Sequence, residues 1–448
     1  MSLTGPVFLD GIIAVTIAAF AAVVWLWPRL TGRSPWHVVG RIGALGLVNL
    51  LVLLTAATQL NATYLFFSGW SDLSGALTGH LAQTAVHRGG NQQAAPDVAL
   101  AGAAPVAARV PPLTVPMSRT GLLTYTVQGG LSGLTGTVLV QLPPGYTAAT
   151  AQRYPVIEAF GGYPSIPLGW IRVFHIDQTV NELVTAHKLR PPVIVMPQIE
   201  FPTGVDTEGV NGPAGDPQIE TWLTRDVPEW VGQHFRVIPK RNAWATIGYS
   251  TGGFVAAMST ILHPAQYGAG IAFGGYFKPE FGSFYRPFTS TSRLARHYDL
   301  IRAEARRHPP VSLWLETSHA DPVSYPSTAQ FLKATSKPTA VQAVILKDAG
   351  HRDSIFQALV PQALTWLGQN VQGFRPTVGS GPSQETDRAT ATKQSGCHYS
   401  TTTLFNAVRR IHRTQLNLCG VARRSATHAR SAGARPRPGG RRPTRAAR

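Results

Sequence analysis

Cysteine is almost missing from this chain: two residues in 448, Cys397 and Cys419, both close to the C-terminal end. The long middle of the sequence therefore has no disulfide, no thiolate metal site and no cysteine nucleophile. Charge is also sparse, at 14% Asp, Glu, Lys and Arg. What charge there is sits unevenly. Of the formal net charge of +18, residues 377–448 contribute 14 Lys/Arg against 2 Asp/Glu. The basic character thus belongs to a tail and not to the main body. No internal repeat is visible, which excludes a solenoid or propeller array. Residues 1–9 contain no Lys or Arg, so a cleaved secretory signal with a positive leading region fits poorly.

Two apolar stretches open the chain, from about Val7 to Trp27 and from about Ile42 to Leu60. Each is long enough, at about 20 residues or roughly 30 Å of helix, to cross a bilayer. Arg29, Arg33 and Arg41 lie between them. Positive charge stays on the cytoplasmic side, so the N-terminus and everything after the second span are expected outside. Tyr64, Phe66, Phe67 and Trp70 have the character of an interfacial aromatic belt. Residues 79–116 are rich in Ala, Pro, Gly and Gln and read as a linker. The segment from 376 onward is rich in Ser and Thr, then in Arg, Pro and Gly, and reads as a disordered basic tail.

In the middle, short apolar runs alternate with helical patterns. "LLTYTVQ" and "GTVLVQL" have the two-residue period of strands. "YPVIEAF", "PPVIVMP", "NAWATIGY", "GAGIAFGG", "VSLWLET" and "AVQAVILK" are continuous apolar runs separated by helix-like segments, including "PQIETWLTRDVPEWVGQHF". Continuous apolar strands between helices signal a parallel sheet covered on both faces, a doubly wound α/β domain over residues 117–375.

Within it, "WATIGYSTGGFVAAM" places Ser250 between Gly248 and Gly252. Gly-x-Ser-x-Gly alone is a weak signal, so context has to confirm it. A strand before and a helix after are the context a nucleophile elbow needs. A serine hydroxyl also needs a base. In this order of elements an acid and then a histidine follow the serine. "ILKDAGHRDS" puts His351 in a loop after a late strand, and "LETSHADP" puts Asp321 in the loop after the preceding strand, with Glu316 as the competing acid. Oxyanion donors are expected from the Thr251 N–H and from Gly162 or Tyr163 in "EAFGGYP". "DTEGVNG", with Asp206 and Glu208, falls on the same side and is expected either to line an acceptor pocket or to form a structural loop.

These residues resemble a family. "RYPVIEAFGGYP", "TWLTRDVPEWVGQHFRV", "WATIGYSTGGFVAA", "TSHADP" and "GHRDS" are similar to the esterase family of α/β-hydrolases that includes esterase D and the mycolyltransferases of the antigen 85 complex. The resemblance spans roughly residues 117–371. It implies an α/β-hydrolase domain using Ser250, His351 and Asp321, with no metal and no cofactor. The chain departs from the mycolyltransferases at Phe160, Gly161, Gly162 and Tyr163, where they carry an Asp-Gly-Leu-Arg-like sugar-binding loop. The expected organisation is a membrane anchor over 1–78, a linker over 79–116, the hydrolase over 117–375 and a tail over 376–448. The expected function is an extracytoplasmic, membrane-anchored serine esterase acting on acyl esters. Transfer of acyl groups to a cell-envelope glycan and a catalytically silent envelope-binding fold are the alternatives. Lipid or cell-envelope glycan is an expected partner class, and nucleic acid is not.

Overall fold

The computed structural model describes residues 3, 5–64, 66–78, 83–90, 121–146, 151–282 and 284–376. The expected basic tail lies outside the described residues, apart from its first position.

The two apolar stretches form helices α1 (Pro6–Leu26) and α2 (Pro35–Tyr64). Both are long and apolar enough to cross a membrane, and neither is buried inside the protein. They pack together as a hairpin, with the Thr16 and Thr55 hydroxyls 2.8 Å apart. A short helix, α3 (Trp70–Thr78), follows.

The main body is built on one nine-stranded sheet. Its strands are β1 (Gln83–Gly89), β2 (Leu122–Gln128), β3 (Thr135–Gln141), β4 (Val156–Phe160), β5 (Val193–Pro197), β6 (Trp244–Tyr249), β7 (Ala269–Phe273), β8 (Ser312–Ser318) and β9 (Ala340–Leu346). The spatial order is β1-β9-β8-β7-β6-β4-β5-β3-β2. Strands β4 to β9 run parallel to their neighbours among themselves. The β2–β3 hairpin and β1 add antiparallel edges.

The parallel strands read as continuous apolar runs because both faces are covered. One face packs against the helices Thr251–Leu262, Leu300–Arg307 and Tyr325–Ala334 through Phe254, Val255, Leu300 and Phe331. The other packs against Ile176–Thr185 and Asp353–Asn370 through Val180, Phe356, Leu359 and Val360. A buried Glu158 in β4 interrupts the apolar pattern. Burial pushes its carboxyl up to about 8, partly offset by a hydrogen bond from the Tyr267 hydroxyl, which donates to it at 2.7 Å.

The doubly wound α/β architecture expected from the sequence is thus the one observed. Two segments differ from expectation. Strand β1 falls inside the stretch read as linker and pairs with β9 from Gln83↔Leu346 to Gly89↔Ala340. Its residues are mostly exposed, so it shows no apolar period. It forms because β9 would otherwise present an unpaired row of backbone groups. The remainder of that stretch, 79–82 and 91–116, lies outside the described residues. The single helix expected across "PQIETWLTRDVPEWVGQHF" contains a π-helical turn at Trp222–Asp226 before the α-helix Val227–His234.

Candidate active site

The parallel strands all deliver their C-terminal ends to one edge, where the sequence-derived residues meet. Strand β6 ends at Tyr249, and the helix Thr251–Leu262 begins one residue later. Ser250 spans the gap with φ 54° and ψ −125°. Such a conformation is costly for a residue with a Cβ and is held only where the surroundings impose it. Here they do. The Ser250 N–H donates to the Phe273 carbonyl at 2.9 Å, and its own carbonyl accepts from the amides of Gly253 (2.8 Å) and Phe254 (3.1 Å). A Cβ on Gly248 would strike the Gly252 carbonyl, and one on Gly252 would strike the carbonyls of Phe160 and Gly161. The two glycines are what let strand, turn and helix close this tightly.

The Ser250 hydroxyl lies 2.9 Å from His351 Nε2. His351 Nδ1 lies 2.8 Å from Asp321 Oδ2. With the Nδ1 proton donated to Asp321, Nε2 presents its lone pair to the serine hydroxyl. Asp321 is buried, and burial alone would raise its carboxyl. Hydrogen bonding from His351 and the imidazole's charge, with further hydrogen bonds from Ser324 and Val323, outweigh that and hold it below the ordinary aspartate value. The Ser324 hydroxyl donates to Oδ2 at 2.6 Å, and the Val323 amide to Oδ1 at 2.9 Å.

Glu316, the competing acid, is turned elsewhere. Its carboxyl accepts the Gly274 amide at 2.9 Å. Burial, with repulsion from Asp321, pushes it up to about 8. Gly274 has φ 54°, and a Cβ there would meet the Phe356 ring and, at 2.9 Å, His351 Cε1. Glu316 therefore braces the floor beneath the imidazole.

Two of the residues expected to supply oxyanion donors, Thr251 and Gly162, lie next to the serine. Thr251 follows the serine at the start of its helix. Gly162 lies over the serine, since a Cβ on it would come within 3.0 Å of Ser250 Cβ. The Gly162 amide also faces the Tyr249 phenol, whose pKa burial and Asp353 push up to about 12 despite that hydrogen bond. Tyr163 is half exposed at the rim, its hydroxyl donating to the Gly204 carbonyl at 3.1 Å. Glu200 ties the two loops together by accepting the amides of Ser165 and Gly204.

Asp206 and Glu208 stand beside this centre. The Tyr276 hydroxyl lies 2.7 Å from Glu208 Oε1 and 3.2 Å from Thr251 Oγ1. Burial and the nearby Asp206 raise the Glu208 carboxyl well above the ordinary range, and burial pushes Asp206 up to about 6. Glu208 thus contacts Tyr276, whose hydroxyl also reaches the residue after the serine. Among the described residues, no group of three or more His, Cys, Asp or Glu side chains has metal-holding geometry.

Sequence reasoning missed one contact set. Asp72, in α3, pairs with Arg352 and reaches the histidine loop. The available signal was its isolation as the one acid between Asp10 and Asp97.

Residues 133–368, about half of the chain, match the family model described as "Putative esterase". An uncharacterized protein of Corynebacterium glutamicum is 27% identical over 150 residues, 32% of this chain. That match spans only 33% of the relative's own length. Similar solved structures include a ferulic acid esterase (17% identity, 55% of this chain and 97% of that one, TM-score 0.47). An S-formylglutathione hydrolase from Agrobacterium tumefaciens gives 17% identity, 57% and 97% coverage and a TM-score of 0.47. MPT51 from Mycobacterium tuberculosis gives 16% identity, 57% and 99% coverage and a TM-score of 0.39.

Proposed function

The chain belongs to the esterase family, and from that premise we propose that it is a membrane-anchored serine esterase acting on acyl esters outside the cytoplasm. The observation that carries this reading is the run of two hydrogen bonds, Ser250 Oγ to His351 Nε2 at 2.9 Å and His351 Nδ1 to Asp321 Oδ2 at 2.8 Å.

Ser250 Oγ attacks the ester carbonyl, and its proton passes to His351 Nε2. The C–O π bond opens, and the resulting oxyanion is held by the N–H groups of Thr251 and of Gly162 or Tyr163. Asp321 stabilises the imidazolium and keeps its ring oriented. The intermediate collapses, the C–O bond to the alcohol breaks, and the alcohol leaves with the proton from Nε2. Water then repeats the sequence on the acyl-enzyme: it gives a proton to Nε2, adds to the carbonyl, and releases the acid and Ser250. The position of α1 and α2 ahead of the hydrolase, with Arg29 and Arg33 between them and Arg41 in the first turns of α2, supports anchoring with the catalytic body on the outer side.

A fluorophosphonate probe tests the reading. The full chain should be labelled, and Ser250→Ala should abolish both labelling and hydrolysis of p-nitrophenyl butyrate. Labelling that survives S250A, or a wild-type chain that does not label, would refute it.

A further inference from the structure

The loop that carries His351 is held from outside the sheet. Asp72 sits in α3, 8 residues after the end of α2. Its carboxylate is buried and receives donors from both sides of the histidine. Oδ2 accepts the Gly350 amide at 2.7 Å and Arg352 Nη1 at 2.7 Å, and Oδ1 accepts Arg352 Nη2 at 2.7 Å. Oδ2 also accepts the Ser68 amide at 3.0 Å, with the Ser68 hydroxyl at 3.4 Å. Arg352 Nη1 reaches on to the Phe66 carbonyl at 2.7 Å, and the guanidinium lies 4.6 Å over the Phe67 ring.

The other end of this arrangement is fastened to α2. The Asn61 side chain donates to the Phe67 carbonyl at 2.9 Å and accepts the Phe67 amide at 2.7 Å. Hydrogen bonds from the last turn of the second apolar helix to Phe67, and from the adjoining Ser68 to Asp72, therefore connect that helix to the residues immediately before and after His351. Asp72 lies outside the family-matched region 133–368.

A fork of two parallel bonds between guanidinium and carboxylate fixes orientation as well as distance. Buried here, it leaves an uncompensated charge if either partner is removed. A histidine loop with only its own strand to hold it has more freedom, and loss of near-attack geometry is costly.

We propose that Asp72 is a positioning residue for His351, so that the segment joining the membrane helices to the hydrolase sets the geometry of the catalytic base. This rests on the serine-hydrolase reading above. It makes the anchor part of the working enzyme and not a tether alone.

The test uses the full-length chain in detergent micelles, with a fluorophosphonate probe and p-nitrophenyl butyrate. Asp72→Asn should slow labelling and lower kcat by about 10- to 100-fold, as sub-ångström to 1 Å misplacement of a base does. KM should stay near wild type, and the final labelling stoichiometry should be unchanged. Arg352→Gln should act in the same direction, and the double variant should be no worse than the poorer single one. A purely structural role would instead lower the stoichiometry and leave the rate per labelled site intact; that result overturns the proposal. So does an Asp72→Asn chain with wild-type rate. If Asp72→Asn fails to accumulate, Arg352→Lys carries the same test, because it keeps the cation and loses the fork. A wild-type chain that never labels overturns the underlying reading as well, whereas a labelled wild type with an indifferent D72N overturns this inference alone.

Discussion

The chemistry at this site depends on groups that keep neighbours in place as much as on the three that exchange protons. Gly274 is one. Its φ of 54° and the nearness of Phe356 and His351 leave no room for a methyl group. Gly274→Ala should push the imbedded imidazole away from Ser250 and reduce kcat/KM by about 10- to 100-fold, read with p-nitrophenyl butyrate; wild-type kinetics would show that the ring is not confined from below. Glu316 is another. Its carboxyl is raised from 4.5 to about 8, chiefly by burial. In the unfolded chain it ionises near the ordinary value, while in the fold it keeps its proton up to about 8. The folded state therefore binds the extra proton across that window, so its contribution to stability is full at low pH and is lost as pH rises through it. Glu158 acts with the same sign. Glu316→Gln keeps an acceptor for the Gly274 amide and cannot ionise. Its melting temperature relative to wild type should rise between pH 5 and pH 8 in calorimetric scans; an unchanged difference at the two pH values would contradict the buried-acid account. Ser250, His351 and Asp321 were legible because the motif context and chain order restrict each to one loop. The preference for Asp321 over Glu316 rested on strand alternation, since both lie at the end of the same strand and only side-chain direction separates them. Asp72 was less legible still, because a partner 280 residues away leaves no local pattern.

At the level of elements, burial on both faces made the inner strands easy to read. Strands β4, β5 and β7 are fully buried, and each appears in the sequence as an unbroken apolar run. Strand β1 escaped because an exposed edge strand needs no apolar face. The π-helical turn at Trp222–Asp226 escaped for a different reason: its residues keep an amphipathic look while the backbone gains one residue in its turn. That turn has a consequence. It presents Asp226 to the β2–β3 hairpin, where Oδ1 accepts the Leu131 amide and Oδ2 the Ser132 amide, both at 2.9 Å. These are charge-assisted bonds to a buried carboxylate, and removing the acceptor strands two amides. Asp226→Ala should cost on the order of 2–4 kcal/mol in urea unfolding of the purified chain, with little effect on labelling of the fraction that remains folded. A cost under about 0.5 kcal/mol, the range of ordinary surface changes, would mean that water replaces the carboxylate and that the hairpin does not lean on this helix.

Across the whole molecule, the two apolar helices and the sheet are more tightly joined than a linker of small and polar residues suggested. Strand β1 completes one edge of the sheet, and β9, which it covers, leads within five residues to His351. The segment that follows α2 is thus joined by hydrogen bonds, through Asp72, to the reactive end of the domain. In the proposed membrane topology, charge sets which side that end faces: Arg29, Arg33 and Arg41 lie in and just after the short connection between the helices, and moving such a cluster outward is disfavoured. The scarcity of cysteine turns this into a clean measurement. Cys397 and Cys419 are the only thiols, and both follow the hydrolase. On intact cells treated with a membrane-impermeant reductant, an impermeant maleimide should label the chain, and a Cys397→Ser/Cys419→Ser double variant should not react. Labelling that appears only after lysis would place the C-terminal side in the cytoplasm and would sink the outward orientation, while leaving the Ser250–His351–Asp321 chemistry to stand on its own geometry.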